Sequence, residues 1–128
     1  MEERGKKEGY RQRLGKEGET KALEFLENKG FKLIEKNYRC REGEVDLICQ
    51  DKNTIVFVEV KNRTSETYGL PQEAVTLNKK RKMIKAALTF LQEKNMWDQS
   101  VRFDVVSVGS EKLTHFRGAF GGFKEYYF

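Results

Sequence analysis

GEVDLI at 43–48 and IVFVEVK at 55–61 are two short apolar runs that carry charge where a buried strand normally carries none. Both runs have apolar residues on alternating faces, a pattern typical of strands covered on both sides by other structure. Asp46, Glu59 and Lys61 interrupt this pattern. Burial of an isolated carboxylate is costly, so such a group is normally paired, protonated or bound to a metal. The two runs therefore predict a central sheet that also carries a charged site.

The spacing of these charges predicts their chemistry. Strand alternation places Glu59 and Lys61 on one face, about 6.5 Å apart, and a turn at 51–53 lets the run that holds Asp46 pair beside them. Magnesium often binds one or two carboxylates and keeps water and substrate phosphate as its other ligands. Asp46 and Glu59 fit that role, and Lys61 fits a group that orients water or stabilises transition-state charge. A buried Glu59–Lys61 ion pair that only closes the strand end is the alternative that the residues leave open.

A third acid comes from the first predicted helix, residues 10–29, which has Gly30 as a natural stop. At 100° per residue, Glu19 lies inside the margin of the apolar stripe, so we expect it to face the sheet; a solvated position at the rim is the alternative. Gly15 and Gly18 each cost a helix about 1 kcal/mol relative to alanine. They indicate the close approach of another backbone or of a ligand.

The order of elements indicates an α/β layer structure. We predict helices at 10–29 and 76–95 and strands near 31–39, 43–50, 54–62, 101–108 and 112–117. Short turns make the first three strands an antiparallel meander, and the second helix allows a right-handed crossover to a parallel strand. The N-terminal helix is expected to pack on this mixed sheet. The loop at 62–75 leaves the third strand after Lys61 and is long enough to form a flap that contacts substrate.

Length and composition predict one domain at 10–128, preceded by a flexible tail at 1–9. The sequence has no apolar stretch of about 18 residues and no apolar segment of a signal peptide, which argues against a membrane protein. Cys40 and Cys49 lack the spacing of a metal site, so we expect reduced thiols and a cytoplasmic location. His115, the only histidine, has no evident partner in the sequence and is expected to be structural.

Charge predicts the class of partner. The chain has 25 Lys and Arg against 20 Asp and Glu, a net charge of +5. Basic residues crowd the start of the second helix, where the helix dipole makes each cation unfavourable by roughly 0.3 to 1 kcal/mol unless an anion is bound. Together with arginines near the acid-bearing strand ends, they predict a nucleic-acid backbone as ligand, with a solvated helix face as the alternative. The predicted nucleic-acid-binding residues are Arg39, Arg41, Arg63, Lys79, Lys80, Arg81 and Lys82.

The aromatic C-terminus, FGGFKEYYF at 120–128, leaves three roles open. These roles are packing in the core, contact in a homodimer and stacking against bases. Core packing and a homodimer contact are the two that we expect from so many aromatic residues in a short segment.

An ordered set of motifs resembles the YraN family of small bacterial proteins. The motifs are G-x-x-G-E at 15–19, N-x-R at 37–39, GEVDLI at 43–48, FVEVK at 57–61, EAV at 73–75 and RFDVV at 102–106. That family is similar to the restriction-endonuclease-like superfamily with its PD-(D/E)xK motif, which includes archaeal Holliday-junction resolvases. The resemblance implies a restriction-endonuclease-like core. It covers the chain from about residue 10 to residue 108.

The resemblance also assigns site residues. By position, Asp46 matches the aspartate of the motif, Glu59 and Lys61 match its ExK, and Glu19 matches the helix acid of the resolvases; Val45 stands where the superfamily signature has proline. The implied function is a Mg²⁺- or Mn²⁺-dependent nuclease that hydrolyses phosphodiester bonds in DNA or RNA, and of the two we expect DNA. Two alternatives stay open: a non-catalytic nucleic-acid-binding module in recombination, repair or DNA uptake, and an interaction protein with structural acids.

Overall fold

Five strands form one mixed sheet in the order in which they occur along the chain. A computed structural model describes the backbone of residues 2–62 and 75–121 and the side chains of 15–62 and 75–121. The elements are α1 (Glu2–Asn28), β1 (Lys32–Cys40), β2 (Gly43–Asp51), β3 (Thr54–Asn62), α2 (Leu77–Lys94), β4 (Ser100–Val108) and β5 (Leu113–Phe116). Strands β1, β2 and β3 form an antiparallel meander, β4 is parallel to β3, and β5 is antiparallel to β4. The predicted α/β architecture is confirmed.

The two helices cover opposite faces of the sheet, and β3 shows this most clearly. Ile55 and Phe57 pack in the cluster that contains the buried side chains of α2, whereas Val56 and Val58 pack in the cluster that contains those of α1. Phe57 stacks with Phe103 on the α2 side, with ring centroids 5.5 Å apart. Each such fully buried side chain stabilises the fold by about 1.5 to 3 kcal/mol. The apolar runs are therefore covered on both faces, as their sequence predicts.

Local signals fix the ends of the helices. Thr76 caps α2 by accepting a hydrogen bond from the Lys79 N–H, and Asn95 ends it in a left-handed conformation. Gly30, with φ 96°, follows α1 as predicted. Helix α1 begins at Glu2, eight residues before the predicted start, because residues 2–9 are mostly strong helix formers without proline. The division into a tail at 1–9 and a domain at 10–128 stays a prediction.

A second cluster of charges lies on the α1 side of β4. Asp104 is 0% exposed and accepts hydrogen bonds from Arg102 at 2.9 and 3.0 Å, from the Gly118 N–H at 2.9 Å and from His115 Nε2 at 2.7 Å. Burial alone would raise the pKa of Asp104, but the hydrogen bonds from His115, Arg102 and Gly118 lower it. His115 also has Lys29 Nζ 3.1 Å from its Nδ1, so it has two partners that its sequence context did not reveal.

Neither helix of the described residues has the length and apolar character of a membrane-spanning segment.

Candidate active site

The site lies where β2 separates from β3. The two strands pair from the Asp51–Thr54 turn as far as Leu47 and Val58, while β3 continues beside β4 to its end. Just past the last pair, Asp46 Oδ2 accepts a hydrogen bond of 2.8 Å from the Val60 N–H. The carboxylate therefore satisfies a main-chain donor that β2 no longer reaches, as buried N–H groups require. This bond holds Asp46 at the fork between the strands.

A break in the regular alternation of β2 positions Asp46. The register of β1 and β2 places Asn37 opposite Asp46, and Asn37 has a left-handed φ of 54°. Val45 packs on the α2 side and Leu47 on the α1 side, although residues two apart on a regular strand share a face. Asparagine is among the few residues that adopt this backbone readily. The N-x-R motif thus contributes backbone geometry to the site.

Glu59 is the most buried acid of the site and forms ion pairs with two ammonium groups. Its Oε1 lies 3.7 Å from Lys61 Nζ, which agrees with the shared face that strand alternation predicts. Lys79 Nζ, from the first turn of α2, donates a hydrogen bond to the same oxygen. The Glu59 side chain is only 4% exposed. Its negative charge is therefore compensated from both β3 and α2.

The negative charge of Asp46 is compensated less well than that of Glu59. Burial and the charge of Glu59 raise the pKa of Asp46 to about 7, although the Val60 N–H and Lys79 oppose the shift. The charge of Glu19 on α1 also raises this pKa. Asp46 therefore senses Glu59 on its own sheet and Glu19 on the helix of the α1 side. The four residues predicted as catalytic, which include Lys61, act on one another electrostatically; their catalytic roles stay predictions.

The two lysines respond in opposite directions. Burial and the positive charge of Lys79 lower the pKa of Lys61. Burial also disfavours the charged form of Lys79, but its hydrogen bond to Glu59 outweighs this and raises its pKa. Lys79 therefore holds its proton more tightly than Lys61 does. Perturbed groups of this kind are concentrated at functional sites, although structural ion pairs also produce them.

A cavity of about 520 Å³ adjoins the site, between the β1–β2 turn and the start of α2. Its lining includes four of the predicted nucleic-acid-binding residues, which are Arg39, Arg41, Lys79 and Lys82. Two others do not line it: the Lys80 ammonium lies 5.6 Å from the centre of the Phe120 ring, and Arg81 is exposed. Arg63, with most of the predicted flap, lies outside the described residues. Lys79 is therefore the residue that joins the cavity to the acids.

Known proteins place the chain in a family. The family described as Uncharacterised protein family UPF0102 matches residues 18–108. This chain belongs to the UPF0102 family. UPF0102 proteins of Geobacter metallireducens, Persephonella marina and Geotalea daltonii are 52%, 43% and 42% identical to it over 95, 106 and 122 residues. These alignments cover 74%, 83% and 91% of this chain and 78%, 91% and 96% of the three relatives.

The UPF0102 assignment confirms the resemblance to the YraN family. The matched range begins at Gly18 and ends at Val108. It therefore contains Glu19, Asp46 and Glu59 of the candidate site, together with both lysines.

The donors at this UPF0102 site fit a hard divalent cation. No three His, Cys, Asp or Glu side chains come together as a metal-binding group within residues 15–62 and 75–121. Asp46 and Glu59 supply two carboxylates, which is the number that magnesium commonly takes from a protein. Burial raises the pKa of Asp46 most, and repulsion by the charge of Glu59 raises it further. A divalent cation would remove that repulsion, because it is the stronger local charge.

The contact between Lys79 and Glu59 was missed by sequence reasoning, which assigned Lys79 to phosphate alone. A signal was present: at helical spacing, Lys79 lies four, eight and eleven residues before three buried side chains of α2, Met83, Ala87 and Phe90. That spacing turns Lys79 toward the sheet, whereas Arg81 and Lys82 lie on the exposed side. The identity of its partner depends on how α2 docks against β3, which the spacing does not contain.

Proposed function

We propose that this UPF0102 protein is a divalent-metal-dependent nuclease that hydrolyses phosphodiester bonds in cytoplasmic DNA or RNA. The observation that carries the proposal is the pair of carboxylates, Asp46 and Glu59, brought together at a fork in the sheet with Lys61 beside them. Electrostatic repulsion between buried acids destabilises the fold, so an arrangement of this kind is expected to serve a ligand. The lining of the adjoining cavity has four basic side chains, Arg39, Arg41, Lys79 and Lys82, against two acidic ones, Glu42 and Glu44, and this basic excess is complementary to a phosphate backbone.

The roles of the residues follow from their surroundings. Asp46 and Glu59 would hold Mg²⁺ or Mn²⁺, which when bound acidifies a water molecule and withdraws charge from the phosphoryl oxygen. Lys61, whose pKa is lowered, is neutral in a larger fraction of molecules than an ordinary lysine, and the neutral amine can hold the attacking water in place and accept its proton. The water oxygen forms the new bond to phosphorus as the bond between phosphorus and the leaving oxygen breaks; the proton of the attacking water passes to Lys61, and the leaving oxygen takes a proton from solvent water. Glu19 would orient water from the α1 side.

A cleavage panel tests this proposal. Duplex, single-stranded, flap and four-way-junction DNA, with RNA counterparts, are incubated with Mg²⁺ or Mn²⁺ or with a chelator. We expect metal-dependent cleavage of at least one substrate, and its loss in Asp46→Asn and in Glu59→Gln. Asp98→Asn, which changes an exposed aspartate, is the matched control and should remain active. Cleavage that survives Asp46→Asn would contradict the assignment of the site.

The second candidate is a nucleic-acid-binding module without cleavage, serving recombination, repair or DNA uptake. The observation that favours it is the charge of Glu59, which two lysines already compensate without a metal. A metal that binds only the folded state raises the melting temperature by mass action, and Glu59→Gln should abolish that rise. Salt-dependent binding to nucleic acid, with neither cleavage nor a metal-dependent rise in melting temperature, would select this candidate over the nuclease.

A further inference from the structure

We propose that Lys79 is the internal counter-ion of Glu59 in the metal-free protein, and that it exchanges this contact for a phosphate in the adjoining cavity when a divalent cation binds. This inference rests on the proposed metal site, and it gives that site a residue that couples metal binding to nucleic-acid binding.

The position of Lys79 carries the first step. Its Nζ donates to Glu59 Oε1, while the Nζ of Lys61 stays 3.7 Å from that oxygen. The Glu59 side chain is 4% exposed and the Lys79 side chain 38% exposed, so Lys79 reaches from the surface to a buried acid. Lys79 also lines the cavity with Arg41 and Lys82. One side chain therefore belongs to both the acidic site and the basic cavity.

Competition for one oxygen carries the second step. A magnesium or calcium ion bound to a carboxylate lies about 2.0 to 2.6 Å from its oxygen. An ammonium group bonded to the same oxygen would lie against that ion, and the repulsion between the two cations would favour departure of the ammonium. Lys61 lies farther from the oxygen and can remain. The flexible four-carbon stem of Lys79 lets its charge move toward the cavity without movement of α2.

The third step follows from thermodynamic linkage between metal binding and nucleic-acid binding. A lysine that is released by metal becomes available to phosphate, so metal and nucleic acid should bind with positive coupling. The coupling is reciprocal, because each ligand must change the affinity of the other by the same factor. Removal of the Lys79 charge should remove the competition with metal and also the part of the coupling that passes through Lys79. Metal affinity should then rise while nucleic-acid affinity falls, two changes of opposite sign that loss of a merely structural residue would not produce.

The experiment measures Mn²⁺ binding to the metal-free full chain by calorimetry at one pH for three variants. Lys79→Met should bind Mn²⁺ at least about fivefold more tightly than the wild type, the lower end of typical coupling between sites. Lys79→Arg keeps the charge and should bind as the wild type does. Lys85→Met removes an exposed lysine of the same helix and should change nothing. Circular dichroism checks that each variant is folded.

The coupling is measured separately by fluorescence anisotropy with a DNA duplex, with and without Ca²⁺, which shares the preference for oxygen ligands. Ca²⁺ should tighten DNA binding to the wild type by a larger factor than it tightens binding to Lys79→Met, because direct contact between metal and phosphate acts in both proteins and release of Lys79 acts only in the wild type. If the wild type binds Mn²⁺ and Lys79→Met binds it with equal or lower affinity, this inference is overturned and the proposed nuclease is left intact. Absence of Mn²⁺ binding in all variants would overturn both.

Discussion

At the scale of the single residue, the charge of Asp46 depends strongly on the fold. Its pKa of about 7 lies well above its ordinary value of 3.8, because of burial and the charge of Glu59. The folded protein therefore holds a proton that the unfolded chain releases between about pH 4 and pH 7. The sign follows from linkage: the stabilising contribution is fully present below the unfolded pKa and is lost as pH rises through the folded pKa. At pH 8 without metal, the Asp46 charge destabilises the fold.

Asp46→Asn should therefore stabilise the metal-free protein at high pH. The amide keeps an oxygen that accepts from the Val60 N–H and removes the buried charge. Between pH 5 and pH 8, the variant should gain on the order of 2 kcal/mol relative to the wild type, since one pKa unit corresponds to about 1.4 kcal/mol. Urea denaturation in a chelating buffer measures the difference, with Asp98→Asn as control. A gain that is the same at both pH values would contradict the raised pKa.

At the scale of elements, strand parity and helix spacing predicted most of the fold. Alternation placed Glu59 and Lys61 on one face, and the charged turn at 51–53 predicted the meander that brings Asp46 alongside. The separation of β2 from β3 was not predictable, because a side-chain acceptor replaces main-chain pairing there, and strand alternation indicates neither this bond nor the left-handed Asn37. Contacts within an element follow from its own periodicity, whereas contacts between elements depend on docking.

The left-handed residue opposite Asp46 makes a specific prediction. Asn37→Val should lower the free energy of unfolding by about 1 to 3 kcal/mol, because a β-branched side chain at positive φ is strained. Asn37→Gly should change it by no more than about 0.5 kcal/mol, since glycine adopts this backbone without strain. Urea denaturation of the two variants compares substitutions at one position. Equal stabilities would show that the conformation of Asn37 is not required.

The packing of the β1–β2 turn on α2 makes another prediction. A Cβ at Gly43 would lie 2.8 Å from the Lys82 carbonyl oxygen, so the turn and the helix meet backbone to backbone. Gly43→Ala should force them apart and destabilise the fold by about 1 to 3 kcal/mol, the usual cost of overpacking. Gly15→Ala, on α1 with open space around its Cβ, should instead stabilise by up to about 1 kcal/mol. A melting temperature that changed in the same direction in Gly43→Ala and in Gly15→Ala would contradict the close approach of the turn to α2.

In the whole molecule, two charged clusters differ in how completely they are neutralised. Asp104 on the α1 side receives bonds from Arg102, His115 and Gly118, and its pKa is lowered. At the fork of β2 and β3, the pKa of Asp46 is instead raised. A carboxylate whose oxygens all have hydrogen-bond donors, such as Asp104, stabilises the relative positions of strands. Two acids that repel each other, such as Asp46 and Glu59, leave a place for a cation. The cluster at the fork of β2 and β3, with the basic cavity beside it, is therefore the part of the sheet where a nucleic-acid backbone is expected.

The distribution of basic residues over the surface makes the last prediction. If the cavity binds phosphates, Arg41→Ala with Lys82→Ala should weaken binding to all sequences alike and make the salt dependence shallower, by about 0.9 in log–log slope for each duplex phosphate that the variant no longer neutralises. Lys94→Ala with Lys112→Ala removes the same charge at exposed positions that do not line the cavity. This control pair should leave the slope nearly unchanged, because surface charges farther apart than about 10 Å are screened at 0.1 M salt. Equal slopes for the two double variants would show that net charge, and not the cavity, attracts nucleic acid.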